Sequence, residues 1–252
     1  MIVLGLDTAT TASAVALRLD GGASSEARDD PPPGAHPGHA TRLLELAHEL
    51  LLEQGIGWSE LGRIAVGVGP GTFTGLRVGI SSARALAQSL ELAVVGVSSL
   101  EALAQGAYRA EPSELDAELL LSVIDARRGE VFAAAYRRGE DGFARELVPA
   151  LALAPTELRS LLDRAEDVHG AAAPSWLALG DGALRFRDEL TLAGVQMLAE
   201  ASPLHRVSAA AICELGERAA GDGAEQVLPD YRRRPDAELA LEGAAAGARV
   251  RR

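Results

Sequence analysis

The sequence predicts an α/β protein of two similar lobes, with mixed sheets and flanking helices, and three observations carry this. An apolar strand ending on an aspartate, a short turn and a second, antiparallel strand occur twice, in "IVLGLDTATTASAVALRL" (2–19) and in "LLLSVIDARRGEVFAAAY" (119–136). Asp125 follows Asp7 by 118 positions. The two stretches share little identity, so they read as a structural echo and not as a demonstrated repeat. After the first hairpin, helical patterns alternate with short apolar runs, as crossover connections require. At 252 residues the chain is long enough to bury a sizeable core in two lobes.

Each element follows from its local pattern. "IVLGLD" (2–7) reads as a buried strand, "TATTA" (8–12) as a turn and "SAVALRL" (13–19) as an alternating strand stopped by Asp20-Gly21-Gly22. A third strand is expected within 23–30, before the Pro/Gly-rich loop 31–40. From Ala40 to Gln54, Leu43, Leu44, Ala47, Leu50 and Leu51 recur at helical spacing, and Gly55 makes a stop. "RIAVGV" (63–68) reads as a strand, 74–90 as a helix, "AVVGV" (93–97) as a strand and "SSLEALA" (98–104) as the start of a helix. In the second half, strands are expected within 146–153 and 176–181, a helix after Pro155, and a last helix over 208–220. The expected organisation is an N-terminal lobe over 1–105 completed by the 208–220 helix, a second lobe over 106–207, and a disordered tail over 236–252.

Composition narrows the chemistry. Acidic residues number 36 against 24 basic ones, a formal charge of −12, and every basic residue is arginine. Without lysine there is no Schiff-base nucleophile and no phosphate-gripping lysine. The negative balance argues against nucleic-acid binding by this chain alone, since phosphate contacts supply most of that affinity. Arg232, Arg233, Arg234, Arg249, Arg251 and Arg252 form local basic exceptions near the end. A single cysteine, Cys213, fits a reducing cytoplasm, and neither a secretory signal nor a membrane span is expected.

The stretch "GPGTFTGLRVGIS" (69–81) resembles a phosphate cradle at first sight. Its glycine spacing fits neither the Walker loop nor the dinucleotide fingerprint, and no lysine follows. A backbone anion site at the helix start, with Arg77 beside it, is the weaker reading. The stronger one rests on Gly75, Gly79, Ala83 and Ala87, which recur every four residues as a nearly bare stripe flanked by Leu76 and Ile80. Glycine inside a helix costs roughly 1 kcal/mol relative to alanine, so close approach of another helix is expected in return. That helix lies either in this chain or, in a four-helix contact with the 40–54 helix, in a second subunit.

Asp7 and Asp125, with Thr8 and Thr10 nearby, are candidates for a nucleotide and Mg²⁺ site between lobes, although "ARRG" lacks the small hydroxyl residues of the first turn. His36 and His39 are separated by proline with no acidic or sulfur ligand close by, so no metal site is expected there. No nucleophile elbow occurs.

Four blocks, "LDTATTASAVAL" (6–17), "GVGPGTFTGLRVGIS" (67–81), "VVGVSSLEALA" (94–104) and "VIDARRGEVFAAAY" (123–136), are similar to the TsaB (YeaZ) family, partner proteins in bacterial tRNA threonylcarbamoyladenosine synthesis. "PDYRR" (229–233) matches more loosely. The resemblance implies a two-lobed actin-like, ribonuclease H-like fold (the ASKHA group). It also implies kinship with TsaD, which transfers threonylcarbamoyl from its adenylate to tRNA adenosine and carries a His-x-x-x-His metal pair. Ser99 and Leu103 stand where those histidines would be, so a non-catalytic subunit is expected, with no metal. The implied partners are a TsaD-like subunit, bound through the 40–54 and 74–90 helices, a TsaE-like ATPase, tRNA mainly through the complex, and a second copy when the chain is alone. No intrinsic cofactor is implied; ATP or ADP belongs to the complex. Asp7, Thr8, Thr10 and Asp125 would be vestigial. The alternatives are a stand-alone actin-like small-molecule kinase and, less favoured, a metallopeptidase.

Overall fold

Strands buried along nearly their whole length build two sheets of the same design. A computed structural model describes residues 1–20, 22–32, 34–110, 117–170, 173–221 and 223–232. The first sheet contains β1 (Ile2–Asp7), β2 (Ser13–Arg18), β3 (Ser24–Asp29), β4 (Leu61–Gly69) and β5 (Ala93–Ser98), in the order β3-β2-β1-β4-β5. The β1–β2 and β2–β3 pairs are antiparallel, whereas β1, β4 and β5 run parallel. The second sheet contains β6 (Leu119–Arg127), β7 (Glu130–Arg138), β8 (Ala144–Leu153), β9 (Trp176–Leu179) and β10 (Gln196–Met197). Its order, β8-β7-β6-β9-β10, repeats the first strand for strand, with the same antiparallel and parallel pairings.

Period-two patterning gives each sheet two apolar faces, so both are covered. Leu4 and Leu6 of β1 point to α1 (His39–Gln54) and α2 (Phe73–Leu90), while Val3 points to the layer between the sheets. That middle layer holds α3 (Ser99–Tyr108) and α7 (Ala209–Arg218). The far face of the second sheet packs on α4 (Leu158–His169), α5 (Asp181–Arg185) and α6 (Arg187–Leu192). The last helix returns across β1, β2 and β4 of the first sheet. Gly5 makes room for it, because a side chain there would run into Cys213. Burial pushes the Cys213 thiol pKa well above its usual value, so this cysteine packs as a small apolar residue.

Helix ends follow known stops. Gly55 adopts the left-handed conformation after α1, with φ of 67°, and Ser98 and Ser208 cap α3 and α7 through their hydroxyls. The strands at 63–68 and 146–153 extend beyond their expected bounds, and α5, α6 and β10 were not anticipated. The tail expected to be disordered, 236–252, lies outside the described residues, as do Arg233, Arg234, Arg249, Arg251 and Arg252. Among the described residues no helix is long and apolar enough to cross a membrane.

Candidate functional site

Asp7 and Asp125 occupy equivalent strand ends and turn their chains in the same way. Asp7 Oδ1 accepts from Ala9 N at 3.0 Å and Asp125 Oδ1 accepts from Arg127 N at 2.8 Å, each two residues on. The second oxygen of each is also taken. Asp7 Oδ2 accepts from the Ser99 hydroxyl at 2.7 Å, at the start of α3. Asp125 Oδ2 accepts from Arg185 at 2.8 Å and from Arg127 at 3.3 Å. Asp125 N donates to Asp181 Oδ1 at 3.0 Å. Burial holds the Asp7 and Asp181 pKa values above the usual carboxylate range, which favours their neutral forms. Asp7 is closed in further by Gly67, whose missing side chain would collide with its Oδ2. Sequence reasoning found the two aspartates but not Ser99 as the partner of Asp7, Arg185 or Asp181, because these contacts join residues 56 to 92 positions apart.

The 69–81 loop packs on the turn after β1. Thr72 N donates to Ala9 O at 2.7 Å, and the Thr8 hydroxyl donates to Gly75 O at 2.7 Å. A side chain at Gly75 or Gly79 would strike Thr8. The close approach that the bare stripe requires is therefore made inside the chain, by the first turn. Thr10, partly exposed, accepts from Ala12 N at 3.4 Å.

The residues expected at a partner interface are nearly all internal. Leu43, Ala47, Leu50 and Leu51 of α1 and Leu76, Ile80, Ala83 and Ala87 of α2 are buried against the first sheet. Gly75 and Gly79 are buried too, and only Leu44, at 42%, is exposed. The apolar stripes of both helices are thus the inner faces of a lobe. The outward surface of α2 consists mostly of other residues: Arg77, Ser81, Arg84, Ala85 and Gln88, with Ile80 at its floor, line a groove of about 710 Å³ together with Pro229 and Tyr231. At its end Arg77 lies 3.8 Å over the Phe73 ring and donates to the Tyr231 hydroxyl at 3.0 Å.

Three of the five histidines have packing or hydrogen-bond partners within the fold. His39 shares a 2.9 Å hydrogen bond with Ser13 Oγ, His205 Nδ1 accepts from Gly180 N at 3.3 Å, and His48 stacks on Trp58. Burial lowers the pKa of His39 and of His205, keeping both neutral. Leu103 is buried in the middle layer, 1% exposed, and Ser99 is fully buried.

Two lobes on one strand plan, each with an aspartate at the end of its first strand, make this an actin-like, ribonuclease H-like protein. A family model described as "TsaD: tRNA N6-adenosine threonylcarbamoyltransferase" matches residues 31–238. A solved structure of YeaZ from Pseudomonas aeruginosa superposes with a TM-score of 0.70 at 31% identity, covering 91% of this chain and 99% of that one. A second, described as an uncharacterized protein with similarity to peptidase YeaZ from the same organism, gives 0.71 at 32%, covering 92% and 99%. The Escherichia coli tRNA threonylcarbamoyladenosine biosynthesis protein TsaB is 40% identical over 142 residues, 56% of this chain and 58% of that protein. The Bacillus subtilis protein of the same name is 36% identical over 111 residues, 44% and 45% of the two chains. The chain spans about half the length of these curated relatives. The chain belongs to the family this model describes, and within it to the TsaB (YeaZ) proteins.

Proposed function

We propose that this chain is a non-catalytic subunit required for tRNA N6-threonylcarbamoyladenosine modification, which binds and supports a TsaD-like catalytic subunit together with a TsaE-like ATPase. The names of its relatives support the tRNA modification. The observation that carries the non-catalytic role is the Ser99–Asp7 bond. At the two positions where the resemblance puts metal-binding histidines, one side chain is a hydroxyl committed to a buried carboxyl and the other is core leucine. Neither supplies an imidazole ligand. The outward face of α1 and α2, with exposed Leu44 and the arginine-lined groove, is the surface for the catalytic subunit. RNA contact falls mainly to the partners, as the net charge of −12 favours.

The test is reconstituted threonylcarbamoyl transfer to tRNA. The TsaD-like subunit with its ATPase is assayed with and without this chain, and this chain is assayed alone. Transfer is expected only when the chain and the catalytic subunit are together. Transfer by this chain alone, or an unchanged rate when it is left out, overturns the reading.

A further inference from the structure

Away from α1 and α2, a pocket of about 250 Å³ opens at the edge of the layer between the two sheets. Its walls come from the end of β5, from α3, from the start of β8 and from α7, so it touches both halves of the fold. Glu101, partly buried, is among its lining residues. Its backbone N–H bonds to the Ser98 cap, but no described residue gives its carboxylate a hydrogen bond or an ion pair. Burial first, and then the nearby Glu146 charge, raise its pKa, while Arg145 opposes them. A partly desolvated carboxylate beside a like charge is a costly arrangement that a ligand cation relieves.

Two arginines, Arg145 and Arg218, line the pocket as well. Arg145 and Arg218 both bind Asp141 Oδ2, at 2.7 and 3.1 Å, and each is about half exposed. Arg218 also lies 3.8 Å over the Phe143 ring, which fixes its plane. Each guanidinium carries five N–H donors, and these contacts use a minority of them. The two arginines share one carboxylate, so N–H groups of both remain for a ligand anion. Val97 and Leu215 add an apolar wall.

We infer that this pocket binds a small zwitterion, a free α-amino acid, with its ammonium on Glu101 and its carboxylate on the free N–H groups of Arg145 and Arg218. The apolar wall receives a short side chain, and the volume limits the ligand to a compact one. The site is separate from Asp7 and Asp125 and from the α2 groove, so it does not depend on the role proposed above.

Isothermal titration of the full chain with glycine, alanine and valine tests this, with N-acetylalanine and alaninamide as controls. Millimolar or tighter binding is expected for at least one amino acid. Removing either ligand charge, by acetylation or by amidation, is expected to weaken it at least tenfold. Glu101→Gln and Arg145→Gln are each expected to cost tenfold or more, with melting temperature checked to show that the fold is intact. Amide shift mapping with the bound amino acid is expected to move Val97, Ser98 and Ala144. No binding by any of the three overturns the proposal, and so does binding that survives Glu101→Gln. Equal binding of alaninamide overturns the zwitterion assignment.

Discussion

The Thr8 hydroxyl donates to the Gly75 carbonyl at 2.7 Å, tying the turn after β1 to the first turns of α2 across 67 positions of sequence. This contact accounts for two interior helix glycines. Each costs roughly 1 kcal/mol of helix propensity, and the return is the seating of a buried turn against bare backbone. On the residue before Thr8, Asp7 Oδ2 accepts from the Ser99 hydroxyl at 2.7 Å.

Gly79→Ala is therefore expected to destabilise the protein in spite of its better helix propensity. The new Cβ meets Thr8 Oγ1, and overpacking of this kind costs about 1–3 kcal/mol. Thr8→Ala removes both the obstructing atom and its hydrogen bond, at about 1 kcal/mol. The two changes should be coupled, the double variant being more stable than the sum of the singles by about 1 kcal/mol in urea unfolding. Additivity within about 0.3 kcal/mol would show that Thr8 is not what excludes a side chain at position 79.

Asp7→Asn should shift the balance of stability with pH. Burial raises the Asp7 pKa in the folded state above its ordinary 3.8, so the folded protein holds a proton that the unfolded chain releases. The wild type consequently loses stability as pH rises from that ordinary value through the raised one. Asparagine has no proton to lose. The difference in melting temperature, variant minus wild type, should climb from pH 4 to pH 7, and a flat or falling difference would mean that Asp7 is ionised in the fold. Because both carboxyl oxygens already have internal partners, isothermal titration with Mg-ATP is expected to give no Asp7-dependent heat. Micromolar binding abolished by Asp7→Asn would restore the kinase alternative.

How far the molecule was legible follows from what periodicity reports. The duplicated hairpins were readable because alternation and an aspartate at a strand end are local signals, and both sheets grew from them. The two short helices Asp181–Arg185 and Arg187–Leu192 were not, since neither is long enough to repeat a pattern and the second buries only Leu190. Helical spacing groups Leu43, Leu44, Ala47, Leu50 and Leu51 on one face, but Leu44 is exposed and the other four are buried inside the chain. Spacing states that a face is buried and is silent on what buries it; here β1, β2 and β4 do. The partners of Asp7 and Asp125 were hidden for a related reason, because nothing local marks Ser99 or Arg185.

Asp125 and Arg185 offer a test of how the second hairpin is held. Asp125 is 6% exposed and accepts from two arginines and a backbone N–H, whereas Arg185 is 50% exposed. Asp125→Asn, which leaves a less favourable acceptor among charged donors, should cost about 1–3 kcal/mol. Arg185→Gln should cost less, about 0.2–1 kcal/mol, because water screens and replaces it. Equal losses in thermal unfolding would mean that Arg185, not the buried carboxylate, organises the turn.

The outward and inward faces of the paired helices can be separated by the same logic. Leu43→Ala empties a position 1% exposed in the core and should lower the chain's own stability by about 2–5 kcal/mol. Leu44→Asp and Ala85→Arg change exposed positions on α1 and α2, so the isolated protein should melt within a few degrees of wild type. If the proposed pairing uses this outward face, the two surface variants should weaken affinity for the TsaD-like subunit at least tenfold, because a charge or a bulky group then stands in the contact. Melting and binding measured on the same preparations keep the two effects apart. Unchanged binding by both surface variants, with the fold intact, would move the docking surface off these helices altogether.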